Sequence, residues 1–288
     1  YTVAQATQGL AELVKKDGGA EMGVVIASDT RIKSDVFSEI SARVLAANGI
    51  RAYLFDAPRP TPELSFALRH LHAKAGINVT ASHNPSIYNG YKAYWEDGAQ
   101  ISPEQADVVS AAIEKVDIFT GVKLVSFEEG KKAGLIQIIG QEVDEAYMKV
   151  VLAERIRPNA IPDVADDFKV VYTPFHGTGR ILVPEVLKRA GLKHLYCVPE
   201  QMVPDGRFPT VKSPNPEDKA GFALAMKIAE ENGIGKLANV IMCGKFLKET
   251  GLCTMEVAAP IIQKLVPAKK PELYDLNMKA LKIGYCDC

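Results

Sequence analysis

The sequence predicts two consecutive α/β domains, each a mixed, largely parallel sheet flanked by helices, and three observations lead there. Short β-branched runs alternate with stretches whose apolar residues recur at helical spacing. The connections between them are short, as crossover units require. At 288 residues, 47% hydrophobic and 24% charged, the chain has the make-up of a globular protein with a full core and a length suited to about two domains.

The first strand is "MGVVIASDT" (22–30), a β-branched run. Ser34 then offers a cap to a helix with the stripe Val36, Phe37, Ile40, Val44 and Ala47, stopped by Gly49. "RAYLFDAP" (51–58) is a second strand. Thr61-Pro62 supplies a capping residue and a first-turn proline to a helix lined by Leu64, Leu68 and Leu71. "AGINVTAS" (75–82) and "YKAYW" (91–95) are the third and fourth strands. Ser102-Pro103-Glu104-Gln105 is a capping box, and its helix carries Val109, Ala112, Ile113 and Val116.

Composition turns proline-rich and acidic over "RPNAIPDVADD" (157–167), which reads as a linker. Beyond it, "FKVVYTPFHGTG" (168–179) is a strand and a glycine turn, "VPEVLKRAG" (183–191) a helix, and "HLYCV" (194–198) a strand. "SPNPED" (213–218) leads into a helix that buries Phe222, Ala225, Met226 and Ala229 and ends at Gly233. "LANVIMC" (237–243) is a further strand. Residues 244–288 contain helix-like text such as "APIIQKLV" but form no clear unit. The expected organisation is therefore a first domain over 1–157, a second over 168–243 and an unassigned tail over 244–288.

A net charge of −1 gives no reason to expect affinity for nucleic acid or for an acidic membrane. No apolar run approaches the roughly 18–20 residues that cross a bilayer, and no signal-peptide pattern opens the sequence. The cysteines (Cys197, Cys243, Cys253, Cys286 and Cys288) show no paired framework, and no Cys or His cluster completes a metal site around the terminal C-x-C. Reduced thiols and a cytoplasmic location are the expectation.

Chemistry concentrates in "NVTASHNPSIYNGYKAYW" (78–95). Ser-His-Asn-Pro is a good turn on its own, and turn formation alone would account for Ser82. Its position argues for more: Ser82 stands just past a buried strand, on the sheet edge where α/β proteins bind ligands. A serine hydroxyl is a weak nucleophile and needs a base or a cation beside it. His83 is adjacent, and Lys92 follows an Asn-Gly turn that could fold it back. Either residue has an ordinary alternative, as a turn histidine or a solvated strand-edge lysine. Arg31, after the first strand, could grip a phosphate with its guanidinium fork or form a surface ion pair. Neither G-x-x-x-x-G-K-[ST] nor G-x-G-x-x-G occurs, so nucleotide binding lacks its usual support.

T-A-S-H-N-P followed by Y-N-G-Y-K closely resembles the active-serine segment of the α-D-phosphohexomutases, the phosphoglucomutase and phosphomannomutase superfamily. "VVIASDTR" (24–31) is similar to the segment bearing the family's Asp-x-Arg, and "VVYTPFHGTG" and "KSPNPED" (212–218) resemble its second domain. The likeness covers about residues 1–243, and "YNGYKAYWEDGAQI" is most similar to the bacterial phosphoglucomutase and phosphopentomutase branch.

The resemblance implies a phosphoserine at Ser82 that also serves as a ligand to Mg²⁺. It implies Lys92 as general acid/base, His83 as the histidine after the reactive serine, and Arg31 as a phosphate contact. The substrate would be a small-molecule sugar phosphate isomerised between its 1- and 6-phosphates, with glucose 1,6-bisphosphate as activator. Phosphomannomutase, phosphopentomutase or a non-catalytic sugar-phosphate-binding relative are the alternatives.

The family's Asp-rich metal loop is missing from the sequence: "GKFLKETG" stands after "ANVIMC", and no D-x-D-x-D occurs. The Glu-x-Ser-Gly and Arg-x-Ser-Gly-Thr signatures are absent too. The expectation is a partial member of the family that is inactive by itself.

Overall fold

The computed structural model describes residues 1–232, 246–248, 250–266 and 272–285, with the backbone alone at 272, 283 and 284. The expected strand at 237–243 and the helix stop at Gly233 lie outside these residues. The chain forms two compact units, Tyr1–Ile228 and Ala229–Cys288.

The first unit opens with α1 (Thr2–Lys16), then β1 (Val24–Ser28), α2 (Ser34–Ala47), β2 (Ala52–Phe55), α3 (Thr61–His70), β3 (Ala75–Val79) and β4 (Tyr91–Trp95). It continues with α4 (Pro103–Glu114), α5 (Phe127–Lys132), β5 (Ile136–Ile139) and α6 (Gln141–Ala153). The strands form one sheet in the order β4-β3-β1-β2-β5, parallel except for β4, which runs antiparallel to β3. A mixed, mostly parallel sheet is what alternating strands and helices demand.

Each sheet face is covered. Leu10 and Val14 of α1 with Leu45 of α2 pack on Ile26 and Ile77, while Leu64 and Leu68 of α3 pack on Val25 and Ala27 from the other side. Each fully buried leucine contributes about 1.5–3 kcal/mol of transfer energy, so these layers fix the register of the strands.

After the 157–167 segment come β6 (Lys169–Tyr172), α7 (Leu182–Arg189), β7 (His194–Cys197), the single turn α8 (Pro199–Met202) and α9 (Ala223–Glu231). β6 and β7 pair in parallel. The proline-rich stretch is more than a tether: it holds a 3₁₀ turn at Pro162–Val164, and Ala165 is buried. The second unit contains α10 (Met255–Leu265) and α11 (Glu272–Tyr285), around the buried side chains of Leu247, Ala258 and Leu281.

Several expectations are corrected. α1, α5, β5, α6 and α8 have no counterpart in the sequence reading. Ser34 is the first helical residue of α2, not its cap; the cap position is Lys33, at φ 64. The buried face of α2 is Ser38, Ser41, Ala42, Leu45 and Ala46 with Val44, while Val36 is exposed. Small residues win that face because α1 packs close: Thr7 Oγ1 donates to Ser41 Oγ at 3.1 Å. Thr61 is likewise helical, with Pro60 as the cap. On α9 only Ala225 is buried, and Met226 is exposed. The capping box of α4 is present as expected, with Ser102 N donating to Gln105 Oε1 at 2.9 Å and Gln105 N to Ser102 Oγ at 3.3 Å.

Candidate active site

Chain order reverses at β1, with β2 on one side and β3 on the other. The carboxyl ends of β1 and β3 therefore flank a topological switch point, the usual ligand crevice of an open α/β sheet. Asp29 follows β1 there, and Thr80-Ala81-Ser82 follows β3.

The third strand ends at Val79, earlier than the expected 82, because Thr80 takes over the hydrogen bonding. Its Oγ1 accepts from Ser82 N–H at 3.0 Å and donates to Asp29 Oδ2 at 2.5 Å. That turn sets Ser82 at φ 56, a left-handed conformation that costs a non-glycine residue roughly 1–2 kcal/mol. Ser82 is exposed, and its Oγ lies 3.2 Å from His83 Nδ1. It opens on a cleft of about 220 Å³ lined also by Asp29, Thr61, Thr80, Phe175 and Thr178.

Arg31 is only 3% exposed and lies beneath this loop rather than in the cleft. Its Nη1 donates to the carbonyls of Pro85 (2.9 Å) and Tyr88 (2.8 Å), and its Nη2 to those of Ser82 (2.9 Å) and Asn84 (2.5 Å). Nε is 3.2 Å from Asp29 Oδ2. Burial lowers the guanidinium pKa, and the Asp29 carboxylate opposes that by favouring the charge. The fork read as a phosphate contact is filled by backbone oxygens, so the geometry of Arg31 is that of a loop clamp.

Asp29 is the hub. Besides the bond from Thr80 and the ion pair with Arg31, it accepts from Arg31 N–H at 2.9 Å and from Ser34 Oγ at 3.1 Å, and Ser34 Oγ accepts from Asn89 Nδ2 at 2.9 Å. The last link ties the far end of the serine loop. Gly90 completes it, since a Cβ there would stand 2.5 Å from the Thr80 carbonyl oxygen.

Lys92 lies on β4 opposite Asn78. Tyr91, Ala93 and Trp95 pack in the α1 layer and Tyr94 in the α3 layer, so alternation puts Lys92 on the α3 side. Asn78 Nδ2 donates to Thr61 Oγ1 at 2.7 Å on that side. Lys92 is half-buried and makes no ion pair among the described residues, and it is not among the residues lining the serine cleft. The structure thus gathers Ser82 and His83 in one loop over Arg31 and leaves Lys92 on the neighbouring strand.

The opposite wall of the cleft comes from "YTPFHGTG", which repeats the serine turn. Phe175 N donates to Thr173 Oγ1 at 3.1 Å and Phe175 sits at φ 48, as Ser82 does after Thr80. Thr61, Thr80, His176 and Phe208 are not among the site residues the sequence suggests, and Asp29 enters there only through the Asp-x-Arg segment. The Thr-x-Ser spacing before His83 and its echo at Thr173-Pro174-Phe175-His176 were the available signals.

Residues 1–118 match the family model described as phosphoglucomutase/phosphomannomutase, alpha/beta/alpha domain I, and residues 145–241 match that of domain II. The chain belongs to the phosphoglucomutase/phosphomannomutase family. It is 39% identical over 232 residues to a phosphoglucomutase of Staphylococcus saprophyticus, covering 80% of this chain and 41% of that one. It is 38% identical to a protein of Haemophilus influenzae named "Probable phosphomannomutase", over 80% of this chain and 45% of that one. A phosphoglucomutase/phosphomannomutase family structure from Burkholderia thailandensis superposes with a TM-score of 0.59 at 22% identity, over 79% of this chain and 46% of that one, which speaks to the fold. This mutase-family chain spans less than half the length of these relatives. No helix among its described residues is long and apolar enough to cross a membrane.

Proposed function

We propose that this chain carries the phosphoserine of a phosphoglucomutase-type enzyme interconverting hexose 1- and 6-phosphates in the cytoplasm. The observation that carries it is Ser82 itself. Its hydroxyl is exposed beside His83, at the sheet's switch point, on a loop held by Arg31 and Asp29. In the reaction, the P–O bond to Ser82 breaks as a sugar hydroxyl takes the phosphoryl group, giving a bisphosphate. The bisphosphate turns over, and its other phosphate returns to Ser82. Phosphoryl transfer needs positioning and charge neutralisation more than covalent assistance. Lys92 would exchange the proton of the attacking or leaving sugar hydroxyl, and His83 would orient the serine oxygen. Arg31 would act chiefly through the loop it holds.

The proposed division is a serine domain over 1–157, a second domain over 168–243, and 244–288 apart. Magnesium belongs to the same reading, with the Ser82 phosphate as one ligand. A divalent ion of this kind takes about six oxygens. Among the described residues no group of three or more acidic, histidine or cysteine side chains gathers. They do not by themselves fit the ion.

Intact mass with phosphosite mapping tests the proposal. Phosphate on Ser82 that is acquired from glucose 1,6-bisphosphate and discharged by glucose 6-phosphate is expected. A Ser82 that is never phosphorylated would sink it. Without a D-x-D-x-D run, the 288-residue chain is expected to stop at this half-reaction. Assays with glucose, mannose and pentose phosphates read the sugar preference, glucose first because the Staphylococcus relative is named for it.

A further inference from the structure

Arg31 spends both terminal nitrogens on the serine loop, and its Nε faces Asp29 Oδ2 at 3.2 Å as an ion-pair contact without a hydrogen bond. What remains of a buried guanidinium is its two flat faces. One of them is covered by a residue far along the chain: the Phe208 ring, with its centroid 5.4 Å from Arg31 Cζ. Phe208 is 6% exposed and sits at φ 52, in a turn where its N–H donates to the Asp205 carbonyl at 3.0 Å and its carbonyl accepts from Val211 N–H at 3.1 Å.

Two residues earlier, Gly206 lies against the backbone of the Arg31 segment. A Cβ on it would stand 2.4 Å from Ile32 N, 2.7 Å from Arg31 C and 2.8 Å from Thr30 O. All three are main-chain atoms, so no side-chain movement could make room.

The turn that presents these residues is anchored at both ends by a single side chain. His176 is 1% exposed, with Nδ1 2.8 Å from the Val203 carbonyl oxygen and Nε2 2.8 Å from Thr210 Oγ1. A carbonyl can only accept, so Nδ1 donates to Val203, and in the neutral ring Nε2 accepts from the threonine hydroxyl. The same Thr210 oxygen accepts from Gln201 Nε2 at 3.1 Å, which agrees with that assignment.

We propose that the 203–210 turn is a latch: Gly206 and Phe208 are positioning residues that hold Arg31, and through it the Ser82 loop, in the conformation phosphoryl transfer needs. The latch makes the serine loop's order depend on contact with the segment that follows β7. His176 of the repeated Thr-x-x-His turn holds the latch in place. Its phosphoryl-transfer role rests on Ser82 being the phosphoryl carrier; its coupling to the loop does not.

The test uses the full 288-residue chain and two readouts, hydrogen exchange of the 82–89 amides and the rate at which Ser82 takes phosphate from glucose 1,6-bisphosphate. Phe208→Leu keeps apolar bulk and removes the π face, whereas Phe208→Tyr keeps both. Expected is a rise of roughly 2- to 30-fold in exchange over 82–89 for Phe208→Leu, the span that a cation–π contact carries. Phosphate loading should slow in parallel, and Phe208→Tyr should restore both.

Gly206→Ala should loosen the same amides. Arg207→Ala, whose exposed side chain pairs with Asp205 at 2.7 Å, should leave them unchanged. Unchanged exchange in Phe208→Leu would overturn the latch, as would a uniform rise across the sheet strands, which marks a packing role alone. If wild-type Ser82 takes no phosphate while Phe208→Leu still loosens the loop, the mutase reading fails and the latch stands.

Discussion

Ser82 occupies a backbone conformation that most serines avoid. Thr80 and Asp29 impose it through the hydrogen bond to Ser82 N–H, and Arg31 locks it by binding the Ser82 carbonyl. The strain aims the hydroxyl into the cleft, as is common where a side chain must be presented rather than packed. A consequence at this scale is measurable. Ser82→Gly should be more stable than Ser82→Ala by about 1 kcal/mol in urea unfolding, because glycine alone takes φ 56 without a Cβ penalty. Equal stabilities would mean that the turn relaxes when the hydroxyl is lost. Of these residues the sequence displayed Ser82, His83 and Arg31. It could not display Arg31's partners, because main-chain carbonyls have no sequence signature.

At the scale of elements, α3 and α6 meet over a buried charge cluster that orders the chain after β2. Arg59, 4% exposed, binds Asp144 through Nε at 2.7 Å and Nη2 at 2.9 Å, and Asp56 through Nη2 at 3.1 Å. Glu63, fully buried on α3, is left 3.7 Å from Arg59 Nε. Burial, with the Asp144 carboxylate beside it, pushes the Glu63 carboxyl up to about 9. A glutamate in the unfolded chain titrates near 4.5, so between about 4.5 and 9 the native chain holds a proton that the unfolded chain has released. Stability should therefore fall as pH rises through this window. Glu63→Gln, a neutral isostere, should flatten that slope in chemical denaturation at pH 5, 7 and 8.5. A slope unchanged in the variant would place the titration elsewhere. A second element-level expectation concerns α4, whose capping box both the sequence and the structure display. Ser102→Ala should cost about 1 kcal/mol in thermal unfolding, and no loss would show that α4 is held by packing alone.

For the whole molecule, the compact unit Tyr1–Ile228 contains the serine loop, the latch and both walls of the cleft. A chain of residues 1–232, which keeps α9 intact, should unfold in one cooperative transition and retain wild-type hydrogen exchange over 82–89. Loss of either would show that the later residues help order the site. The alternation of strands and helices, the capping box and the serine segment were legible because they depend on neighbours a few residues apart, where propensity and spacing act directly. Family membership was legible for the same reason, since "TASHNPSIYNGYK" is contiguous. The buried serine and alanine face of α2, the filling of Arg31's fork by carbonyls and the placing of Phe208 on Arg31 depend on residues brought together from distant parts of the chain. The sequence by itself determined the family and singled out Ser82, the residue proposed to carry the phosphoryl group. Only the tertiary structure decided what holds that residue in place, because a close approach of main chain to main chain, as at Gly206, is set by packing and leaves no periodic trace.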